Sequence, residues 1–349
     1  MYNYNLHMNK FLIVHDFFKF RGGGEELMMS IAKNLECNIF TSYSNYPYYK
    51  IYKSKFSIFF KLSTFLIFIY FFLKKFKSDD NIIFSGTFSI FSIKKSIAKK
   101  KIIYAHSLPR TLFAESYKDF KFKWYLSLFY KFLKKNYYKN LISADYIFFN
   151  SKRTKMIFLN HFPLIEKNTK IDILYPFVET KIYYSNNKLK QKYFVINSRH
   201  DLNKKIEEIV KLFYSFCTKN NFRIYITSDG PNKKNLERVF KKKNIVIFTG
   251  YIPKDDYYEL IKNSTAVISV NPFEDFGMSY LDAYNLDIPV IIYKSAGFSE
   301  ILNESYNFFF DNSIDNVFDY ILNSNYLIKP YGNNKFNLKD LFLKRLLNI

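Results

Sequence analysis

The chain has 349 residues, 48% of them apolar, and a formal net charge of +23. That length suits two domains of ordinary size, and the apolar content excludes wholesale disorder. The charge excess admits nucleic acid, an anionic membrane surface or a phosphorylated substrate as partners. A duller source competes. With 41 Phe, 31 Tyr and only 9 Gly, against a usual glycine share of about 7%, the composition resembles an A/T-biased coding sequence, which inflates lysine without any partner. The basic residues are dispersed, and no zinc-finger or RNP signature is present, so nucleic acid is not expected. Cys37 and Cys217 lie far apart in sequence and form neither a metal spacing nor a disulfide framework, which favours a reducing, cytoplasmic setting. Met1 to His7 lacks a basic and then apolar pattern, so no signal peptide is expected.

In chain order, Lys10 to His15 reads as a buried strand. Gly22, Gly23 and Gly24 follow as a loop in which a ligand can approach the backbone, and Glu25-Glu26 open a helix, as suits its dipole. Leu62 to Leu73 is the most apolar run, about twelve residues flanked by Lys61 and Lys74-Lys75. It falls short of the ~20 residues that span a bilayer. It reads as a buried or half-buried helix, with an interfacial helix as the sharper alternative. Asn81 to Gly86 is a strand and turn, and Lys101 to Tyr104 is a strand that delivers His106 at its carboxyl end. Asp145 to Ser151 is another strand, Thr154 onward is helical, and Ile173 to Pro176 closes the first half.

After a stretch with little apolar pattern, the alternation restarts. Tyr193–Ile196, Arg223–Thr227, Ile245–Gly250, Thr265–Val270 and Pro289–Tyr293 read as strands, with helices at Ile206–Phe216 and Asp255–Lys262. The repeated βα units predict two doubly wound parallel α/β domains. We assign residues 1–178 to the first domain, 179–192 to a linker, 193–329 to the second domain and 330–349 to a C-terminal helix.

The stretch from Pro272 to Glu300 carries the chemistry. Glu274 precedes Gly277 and a helical pattern, and Asp282 lies eight positions after Glu274. If a helix begins near Gly277, the two carboxylates are separated by roughly 7–8 Å along its axis, at about 1.5 Å per residue. They can then hold two hydroxyl-bearing ends of one ligand, with the first helical turn offering N–H groups to a phosphate between them. A nucleotide sugar has that layout. Read without this context, the two are ordinary solvated carboxylates.

This stretch resembles the donor signature of the family 4 retaining glycosyltransferases, a glutamate, seven residues and a second glutamate. Val14 to Leu27 is similar to that family's opening strand and glycine loop. Tyr104 to Arg110 is similar to a segment of bacterial O-antigen mannosyltransferases, and Asn197 to Lys205 to the arginine–lysine phosphate clamp. The resemblance implies a GT-B fold, two Rossmann-like parallel-sheet domains facing a cleft. It implies metal-independent, retaining transfer of a hexose, mannose from GDP-mannose, with the acceptor on the first domain. No cofactor is expected besides this donor substrate.

By that resemblance Glu274 grips the donor sugar, and Asp282 takes the ribose hydroxyls where the family has glutamate. Arg199 and Lys204 take the diphosphate, with Lys205 as competitor. His106 hydrogen-bonds the sugar or leaving phosphate. Gly23, Gly24, Phe276, Gly277, Met278 and Glu300 line the donor, and Arg110 lies on the acceptor side. The resemblance also suggests that the C-terminal helix crosses back to the first domain. Asp287 is a second departure, since the family commonly has glycine there. The implied acceptor is a polysaccharide or lipid-linked saccharide, with the enzyme peripheral on the inner face of the cytoplasmic membrane. An inactive relative kept as an assembly partner and a basic nucleic-acid-binding protein are the rival readings.

Overall fold

The computed structural model describes residues 11–18, 22–46, 51–54, 63–109, 112–113, 127–179, 191–269, 271, 274–302, 308–309, 314–323 and 337–349. The chain divides into two compact units, Met1–Phe177 with Leu338–Ile349, and Val178–Asn337.

The first unit is built on a parallel sheet of β1 (Phe11–Phe18), β2 (Asn38–Ser44), β3 (Ile51–Lys53), β4 (Asn81–Ser85), β5 (Lys101–Ala105), β6 (Tyr146–Phe149) and β7 (Lys170–Ile173), ordered β3-β2-β1-β4-β5-β6-β7. Helices α1 (Gly23–Asn34), α2 (Thr64–Leu73), α3 (Ser127–Leu141) and α4 (Lys152–His161) belong to this unit. The central strands carry uninterrupted apolar runs such as Ile82-Ile83-Phe84 because both their faces are covered. Aromatic rings tie the outer elements together. Phe68 of α2 meets Phe91 edge-on at 5.0 Å between centroids, and Phe91 meets Tyr137 of α3 at 5.8 Å. The C-terminal helix Leu338–Leu347 sets Phe342 against Tyr104 and Phe177, and its Arg345 forms an ion pair with Asp172.

The second unit repeats the plan with β8 (Tyr193–Asn197), β9 (Arg223–Thr227), β10 (Val246–Gly250), β11 (Ala266–Ile268), β12 (Val290–Ile292) and β13 (Phe308–Phe309), in the order β10-β9-β8-β11-β12-β13, again parallel. Its helices are α5 (Ile206–Asn220), α6 (Lys233–Phe240), α7 (Lys254–Lys262), α8 (Leu281–Asn285) and α9 (Ile314–Asn323). Both sheets start in the middle and reverse direction, between β1 and β4 and between β8 and β11. Ligands of doubly wound sheets bind at such reversals, beyond the carboxyl ends of the strands.

Several elements differ from the sequence expectation. β1 runs to Phe18, three residues beyond His15, so Asp16, Phe17 and Phe18 are strand residues too. Gly23 and Gly24 form the first turn of α1 rather than a loop, because the chain turns at Gly22, whose carbonyl accepts the Glu26 N–H at 3.0 Å. The last strand of the first sheet is Lys170–Ile173, not Ile173–Pro176. This edge strand alternates polar and apolar residues, whereas the continuous apolar run lies just after it. β2, β3 and α3 add to the elements expected from the sequence. Of the expected linker at 179–192, only Glu179, Gln191 and Lys192 fall within the described residues.

A buried carboxylate fixes the reversal of the first sheet. The Asp16 side chain accepts the backbone N–H groups of Thr87 (2.6 Å), Phe88 (2.9 Å to each oxygen) and Ser89 (2.6 Å). It thereby caps the 3-10 segment Ser89–Lys95 after the β4 turn. Gly86 is required there. Its φ is +112°, and a Cβ would lie 2.4 Å from the Asp16 carboxyl carbon. Burial holds the Asp16 carboxyl above its ordinary range, opposed by the same N–H donors. Asp16→Ala would leave three backbone donors without their acceptor, the one at Ser89 buried, and is expected to destabilise the first unit by about 2–4 kcal/mol, measured by urea denaturation.

Candidate active site

In the second unit, the loop after β8 and the loop after β11 meet at the reversal. Lys204, at the end of a 3-10 turn (Leu202–Lys204), donates to both carboxylate oxygens of Glu274, at 2.9 and 2.7 Å. Both side chains are about one-fifth exposed, with relative areas of 21% and 21%. The fold thus separates Lys204 from its competitor. Lys205 takes a left-handed conformation (φ 54°), starts α5 and lies 3.6 Å from Glu208. Arg199 is about half exposed and pairs with Asp201 at 3.2 Å.

His200 anchors this loop, a role that its place within the Asn197–Lys205 segment does not announce. It is fully buried, its Nε2 lies 3.1 Å from the Thr227 carbonyl, and its backbone exchanges hydrogen bonds with the 229–232 turn. Gly230 permits the approach, since a Cβ there would fall 2.7 Å from the His200 backbone.

After Glu274 the chain does not enter a helix at Gly277. Gly277 is left-handed (φ +103°), a single 3-10 turn (Met278–Tyr280) follows, and only then α8 begins. The expectation of a regular helix from Gly277 is corrected accordingly: Gly277 breaks the chain direction, and a Cβ on it would meet the Tyr280 ring at 2.6 Å. The Phe276 side chain is buried against Phe298, 5.5 Å between centroids, so what Phe276 offers a ligand is its backbone. Met278 is half-buried. The Gly297 N–H donates to the Glu274 carbonyl at 3.1 Å, which joins this loop to the 3-10 segment Gly297–Ile301 that carries Glu300.

Asp282, in the first turn of α8, faces Tyr257 of α7. The Tyr257 phenol is held well above its ordinary range, first by burial and next by the Asp282 carboxylate. Asn197, the last residue of β8, donates to the Tyr257 hydroxyl and accepts from Thr227 Oγ1 at 3.0 Å. Glu274 and Asp282 are therefore both placed at the carboxyl-end side of this sheet. Asp287 keeps the turn conformation that glycine favours, with φ 56°. Aspartate tolerates that region better than β-branched residues do. Asp287→Gly is expected to be neutral or to gain up to about 1 kcal/mol, and Asp287→Val to cost about 1–2 kcal/mol, in denaturant melts.

In the first unit, His106 follows β5 and meets the first turn of α1. A Cβ on Gly24 would lie 3.4 Å from the imidazole, so glycine there lets backbone and ring approach; Gly23 is the residue before it in the same turn. Ser85 Oγ is 2.9 Å from His106 Nε2, and the Asn150 side chain donates to the His106 carbonyl at 2.8 Å. Ser85, Asn150 and His15 are neighbours of His106 that local sequence patterns do not reveal. Arg110 lies outside the described residues.

Burial lowers the His106 pKa to about 4. His15 is lowered to about 3, by burial and then by the charge His106 would carry, against a bond to the Ser85 backbone. Both rings are neutral at physiological pH. A conjugate acid this strong makes His106 a poor general base but a serviceable hydrogen-bond partner. Both folded values lie below the unfolded value, so the unfolded chain binds more protons as pH falls. Stability is therefore complete above about pH 6.5 and is lost as pH drops toward 4, with about 2 kcal/mol lost to His106 alone by pH 5. Denaturation midpoints at pH 7 and pH 5 should show this loss, and His106→Gln should reduce it.

Among the described residues, no group of three His, Cys, Asp or Glu side chains is arranged to hold a metal ion.

Comparison with known proteins bears on the fold and on the second unit. Residues 179–327 match the family model described as Glycosyl transferases group 1. A stretch of 152 residues is 24% identical to N-acetyl-alpha-D-glucosaminyl L-malate synthase of Bacillus anthracis, covering 40% of this chain and 39% of that protein. The chain thus spans well under half the length of the curated relatives it matches. Among solved structures, HepE of Anabaena in complex with UDP and glucose aligns over 98% of this chain and 99% of its own, with TM-score 0.70 and 13% identity. TarM aligns over 77% of this chain and 54% of its own, with TM-score 0.59 and 18% identity. The fold is GT-B, and its second unit carries a Glycosyl transferases group 1 domain.

Proposed function

We propose that the protein is a retaining, metal-independent glycosyltransferase that moves a hexose from a nucleotide sugar to a saccharide or lipid-linked acceptor on the cytoplasmic side of the membrane. The observation that carries this reading is the Lys204–Glu274 pair at the reversal of the second sheet. In it the Glu274 carboxylate occupies the place that the donor diphosphate would take beside Lys204. Donor binding would transfer the lysine from Glu274 to the phosphates and release Glu274 to the sugar hydroxyls. Lys204 and Arg199 would then stabilise the charge that develops on the leaving diphosphate, an interaction stronger in the transition state than in the ground state. Asp282, beside Tyr257, would hold the ribose.

The resemblance of Tyr104 to Arg110 to O-antigen mannosyltransferases supports mannose from GDP-mannose as donor. The fold likeness to HepE, solved with UDP and glucose, favours a UDP-hexose as the second reading. Thermal stabilisation by GDP over UDP supports the first, and the reverse order the second. Glu274→Ala is expected to leave the melting temperature within a few degrees and to cut transfer of labelled hexose by about 100-fold or more. Unchanged transfer would remove Glu274 from the reaction. Absence of transfer and of nucleotide binding in the natural sequence would favour an inactive assembly partner. Steeply salt-dependent binding of nucleic acid would favour the basic-protein reading.

A further inference from the structure

We infer that Ser85 fixes the tautomer of His106, with the ring proton on Nδ1, and so makes the histidine a hydrogen-bond donor to its ligand. The sheet order explains the placement. β5 lies between β4 and β6, and His106 follows β5. Ser85, the last residue of β4, stands opposite Tyr104 and reaches the ring, while Asn150, just beyond β6, reaches the backbone. The Ser85 hydroxyl lies 2.9 Å from Nε2, and the Asn150 amide donates to the His106 carbonyl at 2.8 Å. Ring and main chain are thus held from opposite sides of one strand.

Distance alone does not say which partner donates, but burial does. Ser85 is 0% exposed. Its hydroxyl has one hydrogen to place and, among the described residues, one partner, His106 Nε2. The bonds from Ser89 Oγ, at 2.8 Å, and from the His15 ring go to the Ser85 carbonyl and do not use the hydroxyl. The other buried nitrogen nearby, His15 Nδ1, has no partner. Were Nε2 protonated, it would donate to Oγ and leave the serine hydrogen buried without an acceptor, a costly arrangement. The arrangement that satisfies both groups has Ser85 donating to an unprotonated Nε2. Burial keeps the ring neutral at physiological pH, its pKa lowered to about 4, so its one proton is on Nδ1. Nδ1 is then the atom open to a ligand. Among the described residues it has no hydrogen-bond partner, and His106 is half-buried whereas His15 lies in the interior. A Cβ on Gly24 would touch this atom at 3.6 Å, so glycine leaves more room there. An N–H at this place meets an acceptor, the lone pair of a sugar hydroxyl or a phosphate oxygen. The other tautomer would show a lone pair, which a hydroxyl proton satisfies and a phosphate oxygen repels. Ser85 is a positioning residue, acting through His106.

The part of His106 in transfer rests on the function proposed above. The tautomer does not, and the two are read separately. Proton–nitrogen correlation spectra of the imidazole rings, taken on the full chain at pH 7, report the protonated nitrogen of each histidine, and His106→Gln identifies the His106 signals. The Nδ1–H form is expected in the natural sequence. Ser85→Ala should move it to Nε2–H or to a mixture. Asn150→Ala, which frees the main chain but leaves the ring bond, should keep Nδ1–H. Ser85→Ala should also cut kcat for hexose transfer about tenfold, with the melting temperature within a few degrees of the natural sequence. An Nε2–H ring in the natural sequence overturns the inference, and so does an Nδ1–H ring that persists in Ser85→Ala. A changed tautomer with undiminished transfer overturns the positioning role. Loss of Nδ1–H on Ser85→Ala in a protein that transfers no hexose supports the tautomer assignment and counts against the proposed reaction.

Discussion

The folded chain depends on what fills the gap where a parallel sheet reverses direction. Two strands diverge there, and the backbone groups beyond them lose their ladder partners. In the first unit the gap is closed by Asp16, which gathers the N–H groups of Thr87, Phe88 and Ser89. The closure is internal, because the carboxylate is buried and backbone N–H groups of three successive residues converge on it. In the second unit the corresponding place is taken by Lys204 and Glu274, two side chains that keep contact with solvent. Asp16 cannot leave without stripping three backbone donors of their acceptor, whereas the Lys204–Glu274 pair keeps contact with solvent. The same topology thus yields an internal carboxylate cap in one unit and a partly exposed ion pair in the other.

The neutral histidines follow from the first arrangement. β1 continues through His15 and Asp16 to Phe18, so His15 is carried into the interior beside the site that Asp16 closes. His106 ends β5 and is held between Ser85 and the glycine turn of α1. Neither ring has water enough to stabilise a charge, and a charge on His106 would further disfavour one on His15. The first unit therefore holds its histidines neutral, and the Lys204–Glu274 ion pair is a feature of the second unit by itself.

Much of this architecture was legible in the sequence where short apolar runs alternate with amphipathic stretches. The central strands of both sheets are such runs, and α5 buries Ile206, Ile209, Val210 and Phe213 at helical spacing. β2 was not legible, because Thr41, Ser42 and Ser44 look like loop residues. They are buried in the strand, and the Thr41 and Ser42 hydroxyls bond the Asp16 carbonyl. The role of Asp16 was hidden for the same reason, since its partners lie 71 to 73 residues away. α3 mixes lysine with aromatics and lacks a clean polar face. The Lys204–Glu274 pair could be nominated residue by residue, but 70 positions separate the two and only the fold joins them.

The departures from the family pattern fall where the backbone and the neighbours can absorb them. Glycine is common at the position of Asp287 because the turn after α8 needs a positive φ, and the turn is retained here at φ 56°. Among residues with a Cβ, aspartate is one of the few that reach that region at modest cost. The consequence is local: the Ile288 N–H still bonds the Ala283 carbonyl at 2.9 Å, and β12 still pairs with β11. At Asp282 the shorter carboxylate lies beside the Tyr257 phenol, itself fixed by Asn197 and through it by Thr227. A carboxylate that loses about 1.5 Å of reach is here part of a polar row running from β9 through β8 to α7 and α8. The position of Asp282 is thus tied to its supporting groups, and a change at Tyr257 or Asn197 would be felt there without touching Lys204 or Glu274.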